Sequence, residues 1–147
     1  MKLPRYEYST ENEAELFTFT SEGIKGNVKK VVVYSQMLEN NIYNLAFGDF
    51  DEESGYINDT VITNNNDSQK VLATVASTLY VFTDKHPDAW VYAMGSNSAR
   101  TRLYRMGITV NIEEISGDFK VFGLGEDIWQ EFEEGIEYEA FLVKRKL

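Results

Sequence analysis

Leu16-Phe17-Thr18-Phe19-Thr20 alternates apolar and polar residues and then meets Gly23 and Gly26-Asn27, the pattern of a half-buried strand closing on a turn. Val28 to Met37, with the β-branched run Val31-Val32-Val33, reads as a second strand broken by Leu38 to Asn41. Ile42 to Asp49 reads as a third, and the acidic turn Asp51 to Gly55 leads to a fourth over Tyr56 to Thr63. Four strands joined by short polar loops predict an antiparallel meander.

The period then changes. Asn66 followed by Gln69 resembles a capping box, and Val71, Leu72, Val75, Ala76, Leu79 and Phe82 recur at helical spacing until Pro87. This predicts a long helix lying on the sheet with that face inward. Ala89 to Met94 is a short apolar and aromatic run ending at Gly95, which predicts a buried strand. Ser96, Asn97 and Ser98 are each able to cap a following helix, whose Ala99, Leu103 and Met106 share one face. After Gly107, the segment from Ile108 to Ile115 fits no single period. Ser116-Gly117-Asp118 reads as a turn and Phe119 to Gly123 as a strand. Glu126 to Glu134 reads as a short helix with Ile128, Trp129 and Phe132 on one face, stopped by Gly135, and Tyr138 to Lys144 as a closing strand. No repeat or linker divides the chain. The prediction is a single domain over residues 1–147, of the α+β class: a mostly antiparallel sheet with an N-terminal four-strand meander, one long helix and two or three short helices packed on it.

Composition narrows the chemistry. With 43% hydrophobic and 14% aromatic residues the chain has ample material for a core. No segment approaches a membrane span and the N-terminus lacks a signal pattern, so a soluble, cytoplasmic protein is expected. Cysteine is absent, which removes disulfides, thiolate metal sites and cysteine nucleophiles. His86 is the sole histidine, which rules out His-rich metal sites and leaves a Ser-His-Asp triad without an elbow serine. A net charge of −10 disfavours nucleic acid, since sequence-independent affinity comes from Lys and Arg on phosphates. The clusters Lys25/Lys29/Lys30 and Lys144/Arg145/Lys146 are expected at solvated strand ends.

Against that acidic background the stretch Gly95 to Arg105 stands out, with Arg100, Arg102 and Arg105 within six positions. A strand feeding a helix through glycine and serine leaves free amides and the positive end of a helix dipole, which together hold anions. Arg100 and Arg102 would add guanidinium donors. Gly95, Ser96, Asn97, Ser98, Arg100 and Arg102 are therefore the candidate ligand-binding residues, for a small anion or an acidic partner segment. The alternative is a tight turn at Gly95 with arginines paired to acidic neighbours. Further constellations are Asp49, Asp51, Asp59 and Asp67 as oxygen ligands for a hard cation, and Glu113-Glu114 or the Glu131 to Glu139 run as paired carboxylates. Solvated acidic loops account for the same residues, and the acidic surface itself is a third candidate, as a protein-interaction face.

Phe47-Gly48-Asp49, Asn64 to Asp67, Lys70 to Ala76, and Gly95-Ser96 with Ala99 to Arg105 together resemble an uncharacterised family of small bacterial proteins. That resemblance implies a bacterial cytoplasmic protein and no known activity. The order from the second strand onward, with Asn97 and Leu103-Tyr104, is similar to the acetyl-CoA-dependent N-acetyltransferase fold. This implies acetyl-CoA as cofactor, Asn97 helping to position its arm and Tyr104 as the general acid for the departing thiolate. Two departures stand against it: Ala99 and Gly107 are each one residue off that family's spacing, and the helix opening at Asn66 to Lys70 lacks its glycine-rich loop.

Overall fold

The computed structural model describes residues 4–38, 41–58 and 63–146. Alternation along the N-terminal third produces the meander: β1 (Ser9–Glu11), β2 (Leu16–Gly23), β3 (Gly26–Gln36) and β4 (Ile42–Asp51) pair antiparallel in sequence order. The expected fourth strand is shorter than its sequence suggests. β5 (Tyr56–Ile57) folds back on the end of β4, and the predicted run from Asp59 to Ile62 lies outside the described residues.

The helical period is realised as α1 (Ser68–Lys85), which buries Val71, Leu72, Val75, Ala76, Leu79 and Phe82 against the sheet. Phe82 stacks on Tyr34 of β3 with ring centroids 4.1 Å apart, and the Tyr34 hydroxyl meets Thr78 Oγ1 at 2.8 Å. Each fully buried aromatic contributes roughly 1.5–3 kcal/mol, so these contacts fix how the helix sits on the sheet. The capping box does not form. Asn66 has a positive φ of 60°, Asp67 is the N-cap, and no side chain bonds the first amides.

β6 (Trp90–Ala93) joins β4 in parallel, which is possible because α1 carries the chain back across the sheet. α2 (Ser98–Val110) and α3 (Ile112–Asp118) follow, separated by Asn111. They account for the segment without a clear period, and the expected turn at Ser116 to Asp118 is the last turn of α3. β7 (Phe119–Gly125), β8 (Ile128–Glu131) and β9 (Ala140–Arg145) complete a sheet of order β1-β2-β3-β4-β6-β9-β7-β8, with β5 paired to β4. The fold is α+β, with a mostly antiparallel sheet.

The short helix expected over Glu126 to Glu134 is instead a hairpin. Glu126 and Asp127 both have positive φ, 48° and 66°, and form a two-residue turn between Gly125 and Ile128. Such a turn matches the twist of paired strands, and the Ile128-Trp129 spacing serves a strand as well as a helix. Tyr138 lies across Gly123, where a β-carbon would come within 2.7 Å of the ring. Its hydroxyl accepts from Gln130 Nε2 and Glu133 N, which fixes the chain after β8. Among the described residues no helix is long and apolar enough to cross a membrane.

Candidate functional site

The face that α2 buries is not the one formed by Ala99, Leu103 and Met106. Arg100 and Tyr104 are buried, Gly107 is half-buried and Asn111 is buried, whereas Ala99 and Met106 are exposed. Two contacts set this rotation. Gly107 lets α2 approach α1, since a β-carbon there would lie 3.3 Å from Leu72 Cδ2. Tyr104 has the largest apolar body available and packs edge-on to Phe47.

The turn before α2 is closed by its own side chains. Asn97 is the N-cap, its Oδ1 accepting from Arg100 N at 2.9 Å. Thr101 Oγ1 accepts from Gly95 N at 3.0 Å and donates to the Asn97 carbonyl at 3.2 Å. A β-carbon on Gly95 would fall within 2.6 Å of the Arg100 carbonyl carbon and nearer still to Thr101 N, so the glycine is required by close approach of the helix. The amides that sequence reasoning left open are thus partly used by the capping turn. Ser96, Asn97 and Ser98 are exposed.

Arg100 is turned inward from this surface. It is 8% exposed, and its Nη2 donates to the Asn58 carbonyl beside β4 and β5. Nearby lies a second buried charge that was expected in solvent. Lys30 is 1% exposed, and its ammonium bonds Asp49 Oδ1 at 2.5 Å and the Thr63 carbonyl at 2.9 Å. Burial alone would raise the Asp49 carboxyl pKa; the bonds from Lys30 and Thr63 outweigh it and hold the group below its ordinary value. The Lys144/Arg145/Lys146 cluster is split as well. Arg145 pairs with Asp84 at 3.1 Å, and Lys146 bonds the Ser116 carbonyl at 2.7 Å.

What remains open beside α2 is a groove of about 820 Å³ between its first two turns and the segment Glu137 to Glu139. Gly95, Ser98 and Arg102 from the predicted set line it. Arg105 joins them, held loosely by Glu137 at 4.0 Å, and Met94, Leu103 and Met106 form an apolar wall. Arg105 was legible as the residue three positions after Arg102 on the same helix flank. Glu137 and Glu139 were not, because only the β7–β8 hairpin brings them there.

The other constellations disperse. Asp49 is bound to Lys30, Asp51 accepts from Glu53 N, and Asp67 accepts from the Tyr6 and Ser21 hydroxyls, each at 2.5 Å. Asp59 lies outside the described residues. Among the described residues no three His, Asp or Glu side chains gather to hold a metal. Glu113 and Glu114 occupy the first turn of α3, where the helix dipole favours them. His86 stacks on Phe82, its Nε2 3.2 Å from the Glu13 carbonyl, with no serine hydroxyl among its bonds.

Acetyl-CoA does not fit the residues present. Its pyrophosphate would have to sit at the start of α1 beside the Asp67 carboxylate, a like charge that accepts from the Tyr6 and Ser21 hydroxyls. The preceding loop is knotted by Asn65, whose side chain accepts from Lys25 N at 2.6 Å and donates to the Gly26 carbonyl at 2.7 Å. Tyr104, the expected acid, is committed to the backbone of β4: its hydroxyl accepts from Phe47 N at 3.2 Å and faces the Leu45 carbonyl at 3.5 Å. Burial raises its pKa, as expected for a phenol acting as a core hydrogen-bonding group. Asn97 is occupied as a cap, so neither side chain is free for the role that the acetyltransferase resemblance gives it.

A family model described as a family of unknown function, DUF6934, matches residues 2–146, and the chain belongs to that family. No curated protein and no solved structure matches it.

Proposed function

We propose that this member of a family of unknown function is a binding module whose groove beside α2 takes an organic anion. The anionic group would meet Arg102 and Arg105, and the apolar body would lie against Met94, Leu103 and Met106. An acidic side chain on a partner segment offers the same chemistry. The single observation that supports this reading is the pairing of two guanidiniums with an apolar wall in a groove of about 820 Å³, on a chain whose net charge is −10. That volume is in the range of small-molecule sites. Arg102 is exposed, and Arg105, whose side chain is 23% exposed, has a loose 4.0 Å contact to Glu137 on the groove's opposite rim, a weak pairing that an incoming anion would displace.

Phenyl phosphate and inorganic phosphate test the reading by thermal shift and calorimetric titration. Phenyl phosphate should stabilise the protein more than phosphate, because the ring gains the methionine wall. Arg102→Ala/Arg105→Ala should abolish both shifts while leaving the unliganded melting temperature nearly unchanged. No shift with either compound, or a shift that survives in the double variant, would sink the proposal.

A further inference from the structure

The two rims of the groove beside α2 carry opposite charge, and the chain sets each by a different device. Arg102 and Arg105, three positions apart on α2, share one flank of the helix. The facing rim is the segment that leads from β8 into β9. There the Tyr138 ring lies across Gly123, its hydroxyl accepts from Gln130 Nε2 and Glu133 N, and Glu139 N donates to the Leu124 carbonyl at 2.7 Å. The backbone is thereby pinned at the ring and just after it, which holds the flanking Glu137 and Glu139 at the groove. Both glutamates are exposed. Among the described residues the charged part of the lining is therefore two guanidiniums facing two carboxylates, beside the apolar wall of Met94, Leu103 and Met106.

We infer, on the basis of the anion site proposed above, that the ligand is a zwitterion: an α-amino acid with an apolar side chain. Its carboxylate lies on Arg102 and Arg105, its ammonium on Glu137 and Glu139, and its side chain against the methionine wall. Charge balance decides the class. A plain anion that takes Arg105 displaces Glu137 and leaves that carboxylate beside it as a like charge, with Glu139 adding to the repulsion. An ammonium on the same ligand gives both glutamates a partner. A zwitterion also brings no net charge to a chain of −10, so the field that opposes an anion does not oppose it. Distance decides the spacing of the two groups. Arg105 Nη1 and Glu137 Oε1 stand 4.0 Å apart, too far for a hydrogen bond and too near for a long molecule to lie between them. A carboxylate and an ammonium on one carbon close this gap into a ring of alternating charges, with hydrogen bonds of about 2.8 Å to each rim. Charges at opposite ends of an alkyl chain would reach both rims only by forcing the pair apart.

Four six-carbon compounds separate these elements when titrated by calorimetry: norleucine, hexanoate, hexylamine and 6-aminohexanoate. Norleucine should bind at least tenfold more tightly than each of the other three. Glu137→Gln/Glu139→Gln, both at exposed positions, should leave the melting temperature unchanged, remove the advantage of norleucine over hexanoate and tighten hexanoate several-fold. Arg102→Ala/Arg105→Ala should abolish binding of norleucine and hexanoate alike. Phenyl phosphate tells the two possible failures apart. If it binds through the arginines while norleucine is no better than hexanoate, or while norleucine keeps its advantage in the glutamine variant, the zwitterion inference falls and the anion site stands. A 6-aminohexanoate affinity equal to that of norleucine overturns the inference as well, since the charges then need not be adjacent. If neither phenyl phosphate nor norleucine binds, both readings fall.

Discussion

Replacing Arg100 by alanine separates a ligand-binding arginine from a structural one. In the structure its guanidinium is buried and donates to the Asn58 carbonyl, so truncation removes a charged hydrogen bond worth about 1.5–3 kcal/mol. The aliphatic stem lies beneath the turn where Gly95 meets the helix, and its loss adds roughly 1 kcal/mol of packing. Arg100→Ala should therefore destabilise the protein by about 2–4 kcal/mol, a fall of roughly 5–12 °C in Tm for a domain of this size. Arg102→Ala, on the exposed flank of the same helix, should stay within about 0.5 kcal/mol of the parent. Urea denaturation of both variants, with the m-value checked for constancy, gives the comparison directly. Equal stability for the two variants, or loss of anion binding in Arg100→Ala without loss of stability, would refute the assignment of Arg100 to the interior.

Lys30→Met should cost about 3–5 kcal/mol, because it strands the Asp49 carboxylate in the interior, and Lys30→Met/Asp49→Leu should recover most of that in the same denaturation assay. Since the folded-state pKa of Asp49 is depressed, its contribution to stability is complete above the ordinary value of 3.8 and is lost as pH falls below it through the folded value. Asp49→Asn should flatten the dependence of the urea midpoint on pH between about 5 and 2, and an unchanged slope would count against the pair. Tyr104→Phe leaves the Phe47 amide without its acceptor and should cost roughly 1–3 kcal/mol, read by thermal denaturation; full stability would mean that the hydroxyl is dispensable. Gly123→Ala drives a methyl group into the Tyr138 ring and should cost about 1–3 kcal/mol, with the near-ultraviolet circular dichroism of the tyrosines altered.

Alternation located β2 and β9, β-branched or apolar runs bounded by turn residues located β3, β4, β6 and β7, and the helical repeat from Val71 to Phe82 located α1. The same parity contained more than was taken from it. Lys30 is in phase with Val32 and Tyr34, and Asp49 with Leu45 and Phe47, so alternation alone puts both charges inside. Reading lysine clusters by composition overrode that phase. The β7–β8 hairpin was illegible for a different reason: Glu126 and Asp127 are neither glycine nor asparagine, and nothing local announces two successive positive φ angles. In α2 the stripe Ala99/Leu103/Met106 is the more hydrophobic one, yet the stripe Arg100/Tyr104/Gly107 is the one turned inward. Docking against Leu72 decided between them, and that contact is tertiary. The groove was legible only on its helical side for the same reason.

The junction of β4 with β6 is short, three paired positions from Ile42–Trp90 to Asn44–Tyr92, yet it fastens a four-strand antiparallel leaf to another made from the second half of the chain. The first leaf closes through near-neighbour contacts, whereas this seam must wait for the whole of α1 to be laid across it, and β6 must wait as well for its partner β9 at the end of the chain. Loop closure of that kind is slow to form and quick to be felt when it opens. Pulse-labelling of backbone amides during refolding should find the β2–β3–β4 leaf protected first and the Trp90–Tyr92 amides last. The two halves of the molecule would then behave as partners that assemble, and the ordering of that assembly would be written into a single parallel stitch.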